Sequence, residues 1–430
     1  MFSTTRTTKT LIRIALSCLT AYTVLAHAGQ GTTLSSVAPM RGNTSASANF
    51  KGSSNGNLPG DTNVSKVNVH TLLYPGHTTK VLVHYLPWWG PSPRGVDVRY
   101  RSDDPDQIRR TFTDMTSRGI DGVVVDWYGS QDFVETAWRK SAQILGEFPN
   151  LSFSIMVDSG VYKFHRCQGC DLTQTILYYL RPLSKNYFSN PQYLRYSAQP
   201  VVFEFGMDAV GDADWAKIQA AFPEILWVHI HKQGFDLDAS RGAFAWIDAP
   251  AKNSILPSSP ASRLTSFYRY AHTEPAKLTV GAAYKGFDDS LAPWGKENPK
   301  HIDQSCGETW LRSFYLVNSQ YSVKDQLPFL QLITWNDYEE GTALESGIDN
   351  CATLSVLRSG KSIDIQLSHA STIDHIVLLR QKGNELFQEF ASYPPDTTSI
   401  PLPQQSGTYF VQAIGKPFLK NTISNSIVIP

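Results

Sequence analysis

From residue 80 to residue 338 the chain repeats one pattern. A short, wholly apolar run ends on polar or aromatic residues, and most runs are followed by a stretch with helical spacing. The runs are "KVLVHYLPWW" (80–89), "GVVVDWYG" (122–129), "LSFSIMVDSG" (151–160), "PVVFEFG" (200–206), "ILWVHIHK" (225–232), "GAFAWIDAP" (242–250), "LTVGAAYKGF" (278–287) and "FLQLITWNDY" (329–338). Runs that are apolar throughout, rather than alternating, belong to strands covered on both faces, as in a parallel sheet. Between them, "DPDQIRRTFTDMTSRG" (104–119) sets Ile108, Phe112 and Met115 along one helical face and stops at Gly119. "DFVETAWRKSAQILGEF", "DLTQTILYYLRPL" and "DADWAKIQAAF" likewise open on an acidic residue suited to capping a helix. Eight strands alternating with helices predict an α/β fold, a (β/α)8 TIM barrel over residues 76–350. "QGFDLDASR" (233–241) is too short for a full helix, so one degenerate crossover is expected there.

After Cys351 the period changes. "ATLSVLRSG", "SIDIQLS", "DHIVLLRQKG", "ELFQEFASY", "TTSIPLP", "GTYFVQAIG" and "SNSIVIP" alternate apolar with polar positions between turn signals. They predict a small C-terminal β-sandwich over residues 351–430. Ahead of the barrel, Arg6, Lys9 and Arg13, the run "IALSCLTAYTVLA" and the small-residue site "AHA" read as a signal peptide over 1–28. Residues 29–75, rich in Ser, Thr, Asn and Gly, are expected to be a flexible leader.

Charge and cysteines then narrow the class. Removing residues 1–28 leaves 35 basic against 38 acidic residues, a balance that gives no reason to expect nucleic acid or an anionic membrane as partner. A secreted monomer is expected, with no cofactor and no metal. Four cysteines in an exported chain predict two disulfides, Cys167–Cys170 and Cys306–Cys351. A lone CxxC supplies two ligands where structural zinc takes four.

Barrel chemistry belongs at the C-terminal strand ends, and here nearly every run finishes on candidates. The first gives His84, Tyr85, Trp88 and Trp89; the second Asp126, Trp127 and Tyr128; the third Asp158. The later ones give Glu204, His229, Trp246 with Asp248, Tyr284 with Lys285, and finally Trp335, Asn336, Asp337 and Glu340. Glu339 and Glu345, beside the last pair, are expected to be solvated. Carboxylates under a ring of aromatic faces suit a sugar, whose C–H faces stack on the rings while its hydroxyls meet the acids. Cleaving a glycosidic bond takes two carboxyl groups, one protonated and one ionised. No Gly-rich phosphate loop precedes a helix and no GxSxG elbow is present, so dinucleotide and Ser-triad chemistry lack their signatures. The three-residue spacing of Asp337 and Glu340 would place both on one face of a helical turn, where mutual repulsion keeps one protonated near neutral pH.

"YLPWWG", "GIDGVVVDWYG" and "TWNDYEEGTALE" resemble glycoside hydrolase families 71 (α-1,3-glucanases) and 99 (endo-α-mannosidases) over residues 79–350. The resemblance puts the two acids of the strand-8 motif on Asp337 and Glu340. Tyr338 leans toward family 71, while "EEGTALE" is similar to the family 99 style. A family 71 resemblance implies Glu340 as general acid and Asp337 as the partner that activates water or the substrate. Asp126, Glu204 and Asp158 are then candidates for positioning the substrate.

Overall fold

The computed structural model describes residues 63–90, 94, 96–130, 132–251, 260–383 and 386–430. The expected signal peptide and residues 29–62 of the expected leader lie outside them. Residues 63–75 differ from that expectation. Val64, Val69, Leu73 and Tyr74 are buried, so the packed chain begins before the first strand. The polar composition of the preceding stretch masks these four apolar anchors.

Eight parallel strands form the barrel: β1 (Lys80–Tyr85), β2 (Gly122–Trp127), β3 (Ser152–Asp158), β4 (Gln199–Phe205), β5 (Leu226–Ile230), β6 (Gly242–Phe244), β7 (Leu278–Tyr284) and β8 (Phe329–Ile333). Each pairs with its sequence neighbour. β8 returns to β1 with Val83 beside Leu332, and β3 meets β4 with Ile155 beside Val202, so the sheet closes. Outside it run α1 (Pro105–Ser117), α2 (Phe133–Ile144), α3 (Leu172–Tyr187), α4 (Asp212–Ala221), α5 (Pro260–Ala271) and α6 (Glu308–Gln320). Between β5 and β6 stands only the 3-10 turn Lys232–Phe235, the short crossover expected there.

Asp104, Asp132 and Asp171 cap α1, α2 and α3, and Asp171 completes a capping box with Gln174. Asp212 instead falls inside the first turn of α4, with Gly211 at the cap position.

Strand alternation sorts the side chains into two layers. Leu82, Val124, Met156, Phe203, Val228, Phe244, Val280 and Phe329 fill the barrel, while Val83, Val123, Val125, Ile155 and Val202 face the helices. The outer layer holds the large aromatics. Phe153 lies 5.2 Å from Trp138 and 5.1 Å from Tyr193 by ring centroids, and all three are buried. Burying each such side chain contributes roughly 1.5–3 kcal/mol.

The C-terminal strands are β9 (Leu354–Ser359), β10 (Ser362–Leu367), β11 (Ile373–Lys382), β12 (Leu386–Tyr393), β13 (Ser399–Pro401), β14 (Gly407–Gly415), β15 (Thr422–Ile423) and β16 (Ile427–Ile429). They form a three-stranded and a five-stranded antiparallel sheet around one core that includes Ile363, Ile376, Ile400, Tyr409 and Val411. The disulfides are Cys167–Cys170 and Cys306–Cys351, the second joining the segment before α6 to the start of this sandwich. Among the described residues no helix is long and apolar enough to cross a membrane.

Candidate active site

The same alternation decides which strand-end candidates reach the barrel mouth. His84, Asp126 and Asp158 share parity with the interior residues Leu82, Val124 and Met156 and stand above them. Trp246 follows Phe244 and packs edge-on against His84 and Phe205, each at 4.9 Å. From the loop after β8 come Asp337 and Glu340.

That loop is a tight turn rather than a helix. Asp337 Oδ1 accepts the Glu340 N–H at 2.9 Å, and the Asp337 N–H donates to Thr334 Oγ1 at 2.9 Å. Thr342 N–H closes the turn on the Asp337 carbonyl at 3.1 Å. The two acids are therefore bound to one another through backbone, three residues apart.

Electrostatics bring the group together. Burial lifts Asp337 to about 7, against the acceptance of the Glu340 N–H and with the Glu339 charge adding to the rise. Glu340 is pushed well above the usual carboxylate range by burial and then by the Asp337 charge, although the Trp294 indole donates to it at 3.0 Å. Burial and the neighbouring Asp158 raise Asp126 well above its ordinary value, and Asp337 adds to that. Asp158 rises to about 6 through burial, opposed by the N–H of Gly160 and by Lys163. Asp126 Oδ1 and His84 Nδ1, on residues 5% and 3% exposed, have no hydrogen-bond partner among the described residues. Burial holds His84 neutral, with its pKa near 3. Two unpaired polar atoms facing a mouth lined by carboxyl groups are what a bound polyol would satisfy.

Three participants were not singled out by the sequence. Arg94 pairs with Glu339 at 2.7 Å, lies 3.7 Å over the Trp88 ring, and lowers the proton affinity of Asp126 and Asp337. Trp294, in the loop "LAPWGKENP", stands 55% exposed beside Glu340. Gln331 points into the barrel with both amide atoms unpartnered among the described residues. A Trp within a polar loop is the one sequence signal that marks any of them.

Several candidates are placed elsewhere. Tyr85 and Trp127 have the outward parity of their strands. Tyr85 packs 6.5 Å from both Phe112 and Trp138, and the Trp127 indole donates to buried Glu135 at 2.8 Å. Glu204 also has outward parity. Its carboxylate accepts from the backbone N–H of Ile230 at 3.0 Å and of Met207 at 3.3 Å, tying β4 to β5. His229 faces the helices, 4.6 Å from the Trp215 ring. Trp335 is turned away onto Phe418 of the sandwich, 6.5 Å off. Lys285 is fully buried and donates to the Ala343 carbonyl at 2.6 Å. Asn336 braces the loop after β1, exchanging two 3.0 Å hydrogen bonds with the Leu86 backbone and receiving the Trp89 indole on its carbonyl at 3.2 Å.

Tyr128 stands close enough to Asp126 to lower its proton affinity, and Trp88 carries Arg94 on its face. Asp248, paired with Arg263, and Tyr284 line a cavity of about 280 Å³ that opens beside Trp246. Glu339 and Glu345 are not solvated as expected. Both are buried, Glu339 against Arg94 and Glu345 accepting from Tyr100 and Tyr338 at 2.8 and 2.6 Å.

Comparison by sequence alone finds no match, neither to a family profile nor to a curated protein. Comparison of folds finds the GH99 endo-α-mannosidase of Bacteroides thetaiotaomicron at 16% identity and a TM-score of 0.49, over 62% of this chain and 86% of that one. A glycoside hydrolase-like protein is similar at 13% identity and a TM-score of 0.46, over 62% and 86% of the two chains. The Cellulomonas fimi endo-β-1,4-mannanase double mutant is similar at 8% identity and a TM-score of 0.36, over 86% and 99%. At such identities the similarity does not extend to what those proteins act on.

Proposed function

We propose that the protein is an exported glycoside hydrolase that cleaves α-glycosidic bonds within a polysaccharide, an endo-α-1,3-glucanase with Asp337 and Glu340 as its carboxyl pair. The observation that carries this reading is the set of four carboxyl groups at the mouth, Asp126, Asp158, Asp337 and Glu340, each with its pKa raised by burial and, in all but Asp158, by neighbouring acids as well. Glu340, raised by burial and by the Asp337 charge beside it, is the proton donor to the leaving oxygen. Asp337, with a pKa near neutrality, is available as the base that activates water or the substrate. Asp126 and His84 offer unpaired polar atoms to the sugar held between them. Trp294, 55% exposed beside Glu340, offers a stacking face, and the two disulfides suit an oxidising compartment.

The choice of α-1,3-glucan rests on "WNDYEE" and its resemblance to family 71; "EEGTALE" supports a second reading, an endo-α-mannosidase. Incubation with a panel of α-glucans and α-mannans, with NMR of the first anomer released, separates them and reads the stereochemical outcome. Release from α-1,3-glucan is expected. Retardation on a glucan gel with no sugar released from any member of the panel would make the barrel a binding protein instead.

A further inference from the structure

The segment Lys416–Asn421, which links β14 to β15 in the sandwich, reaches back onto the barrel. Phe418 is fully buried there although its φ is 68°, a conformation that residues with a β-carbon rarely adopt. Its ring lies 5.4 Å from Trp310 of α6 and 6.5 Å from Trp335. Its carbonyl accepts the Ile348 N–H at 2.9 Å, and the Pro417 carbonyl accepts the Trp310 indole at 2.9 Å.

Arg118, at the end of α1 and 1% exposed, lies beside the same rings. Its guanidinium carbon is 5.2 Å from the ring centroids of both Trp335 and Phe418. From there it donates to the carbonyls of Leu344 at 3.0 Å and Glu345 at 3.1 Å. Those two residues close the catalytic turn, since Leu344 N–H donates to Thr334 O at 3.0 Å and Glu345 N–H to Trp335 O at 2.9 Å.

We infer that Phe418 and Arg118 are positioning residues for the carboxyl pair. The sandwich thus acts as a brace behind the turn that carries Asp337 and Glu340. The carboxyl pair itself creates the need for one. A buried acid and a half-buried one held three residues apart repel whenever both are ionised, and a turn free to open would relieve that repulsion. Phe418 fills the space behind Trp335, Trp335 and Phe418 flank the guanidinium, and the guanidinium pins the two carbonyls that keep the turn shut. The catalytic consequence rests on the glycosidase reading given above; the mechanical one does not.

Full-length Phe418→Gly removes the ring while glycine adopts the same φ without strain. Arg118→Lys keeps the charge but loses the fork that spans two carbonyls. Hydrogen exchange of peptides within 334–345 is expected to accelerate by about tenfold in both variants, with peptides of β1 and β2 keeping their protection. On a substrate cleaved by the wild type, kcat is expected to fall about tenfold with KM within about twofold, because a loosened turn misplaces the reacting groups without removing sugar contacts. The limb of the pH profile set by the protonated acid moves to lower pH as the two acids separate.

Unchanged exchange in 334–345, or acceleration only in step with the whole barrel, would reduce the contact to ordinary packing. Should Phe418→Gly not fold, Arg118→Lys decides the question by the same exchange measurement. If the wild type releases no sugar, the glycosidase reading fails, and exchange alone tests the brace.

Discussion

Replacing Asp337 by Asn gives a test of the site that needs no substrate. Asp337 is 3% exposed, and burial is the first cause of its rise from 3.8 to about 7. An acid whose folded pKa is raised binds, in the folded protein, a proton that the unfolded chain gives up. Its destabilising contribution is absent below about pH 4, grows as pH rises, and is complete above the folded value near 7. At about 1.4 kcal/mol for each pH unit, that interval corresponds to about 4 kcal/mol. Asparagine keeps the Oδ1 that accepts the Glu340 N–H and removes the titration; it also removes the charge that pushes Glu340 upward.

The stability of Asp337→Asn relative to wild type is therefore expected to be about 4 kcal/mol more favourable at pH 8 than at pH 4. Contributions independent of pH cancel in that difference. Urea unfolding of both proteins at pH 4, 6 and 8, followed by tryptophan fluorescence, measures it. An offset that stays the same at all three values would show that Asp337 titrates as an ordinary surface carboxyl, and the argument for a strained pair would be wrong.

Other outcomes follow from particular contacts. Arg94→Met removes the cation that lowers the proton affinity of Asp126 and Asp337, so the limb of kcat/KM that requires an ionised carboxyl should move to higher pH; an unmoved limb would detach Arg94 from the site. His229→Phe replaces a ring whose two nitrogens have no partner among the described residues; stability should rise by about 1–2 kcal/mol with turnover unaltered, and lost activity would return His229 to the mouth. Serine at both Cys306 and Cys351 opens a crosslink spanning 45 residues and should cost about 4 kcal/mol in urea unfolding, whereas no change would mean that the sandwich is held by its packing alone.

Much of this architecture is legible in the sequence, for identifiable reasons. Parallel strands buried on both faces leave continuous apolar runs, and Asp104, Asp132 and Asp171 announce three helices by capping them. The site is legible less evenly. Polar residues at strand ends mark the right end of the barrel, but the strand period of two sends neighbours to opposite faces. His84 and Asp126 reach the mouth, while Tyr85 and Trp127 join the outer layer. Glu204 and His229 could have been assigned outward from the parity of Phe203 and Val228. Arg94 and the Arg118–Phe418 contact were beyond such reasoning, since they depend on loops and on a segment some 300 residues further along the chain meeting in space. Glu339 and Glu345 show the converse error: acidic residues in a loop look solvated until their partners Arg94, Tyr100 and Tyr338 are brought to them.

The most direct measurement is turnover by Asp337→Asn and Glu340→Gln, each compared with wild type on whichever α-glycan of the panel it cleaves. Both substitutions preserve shape and remove the capacity to exchange a proton, together with the charge of the ionised form. With circular dichroism unchanged, kcat should fall by about a thousandfold or more in each, since neither acid can stand in for the other. Rates near that of wild type in both variants would mean that bond cleavage takes place without this pair.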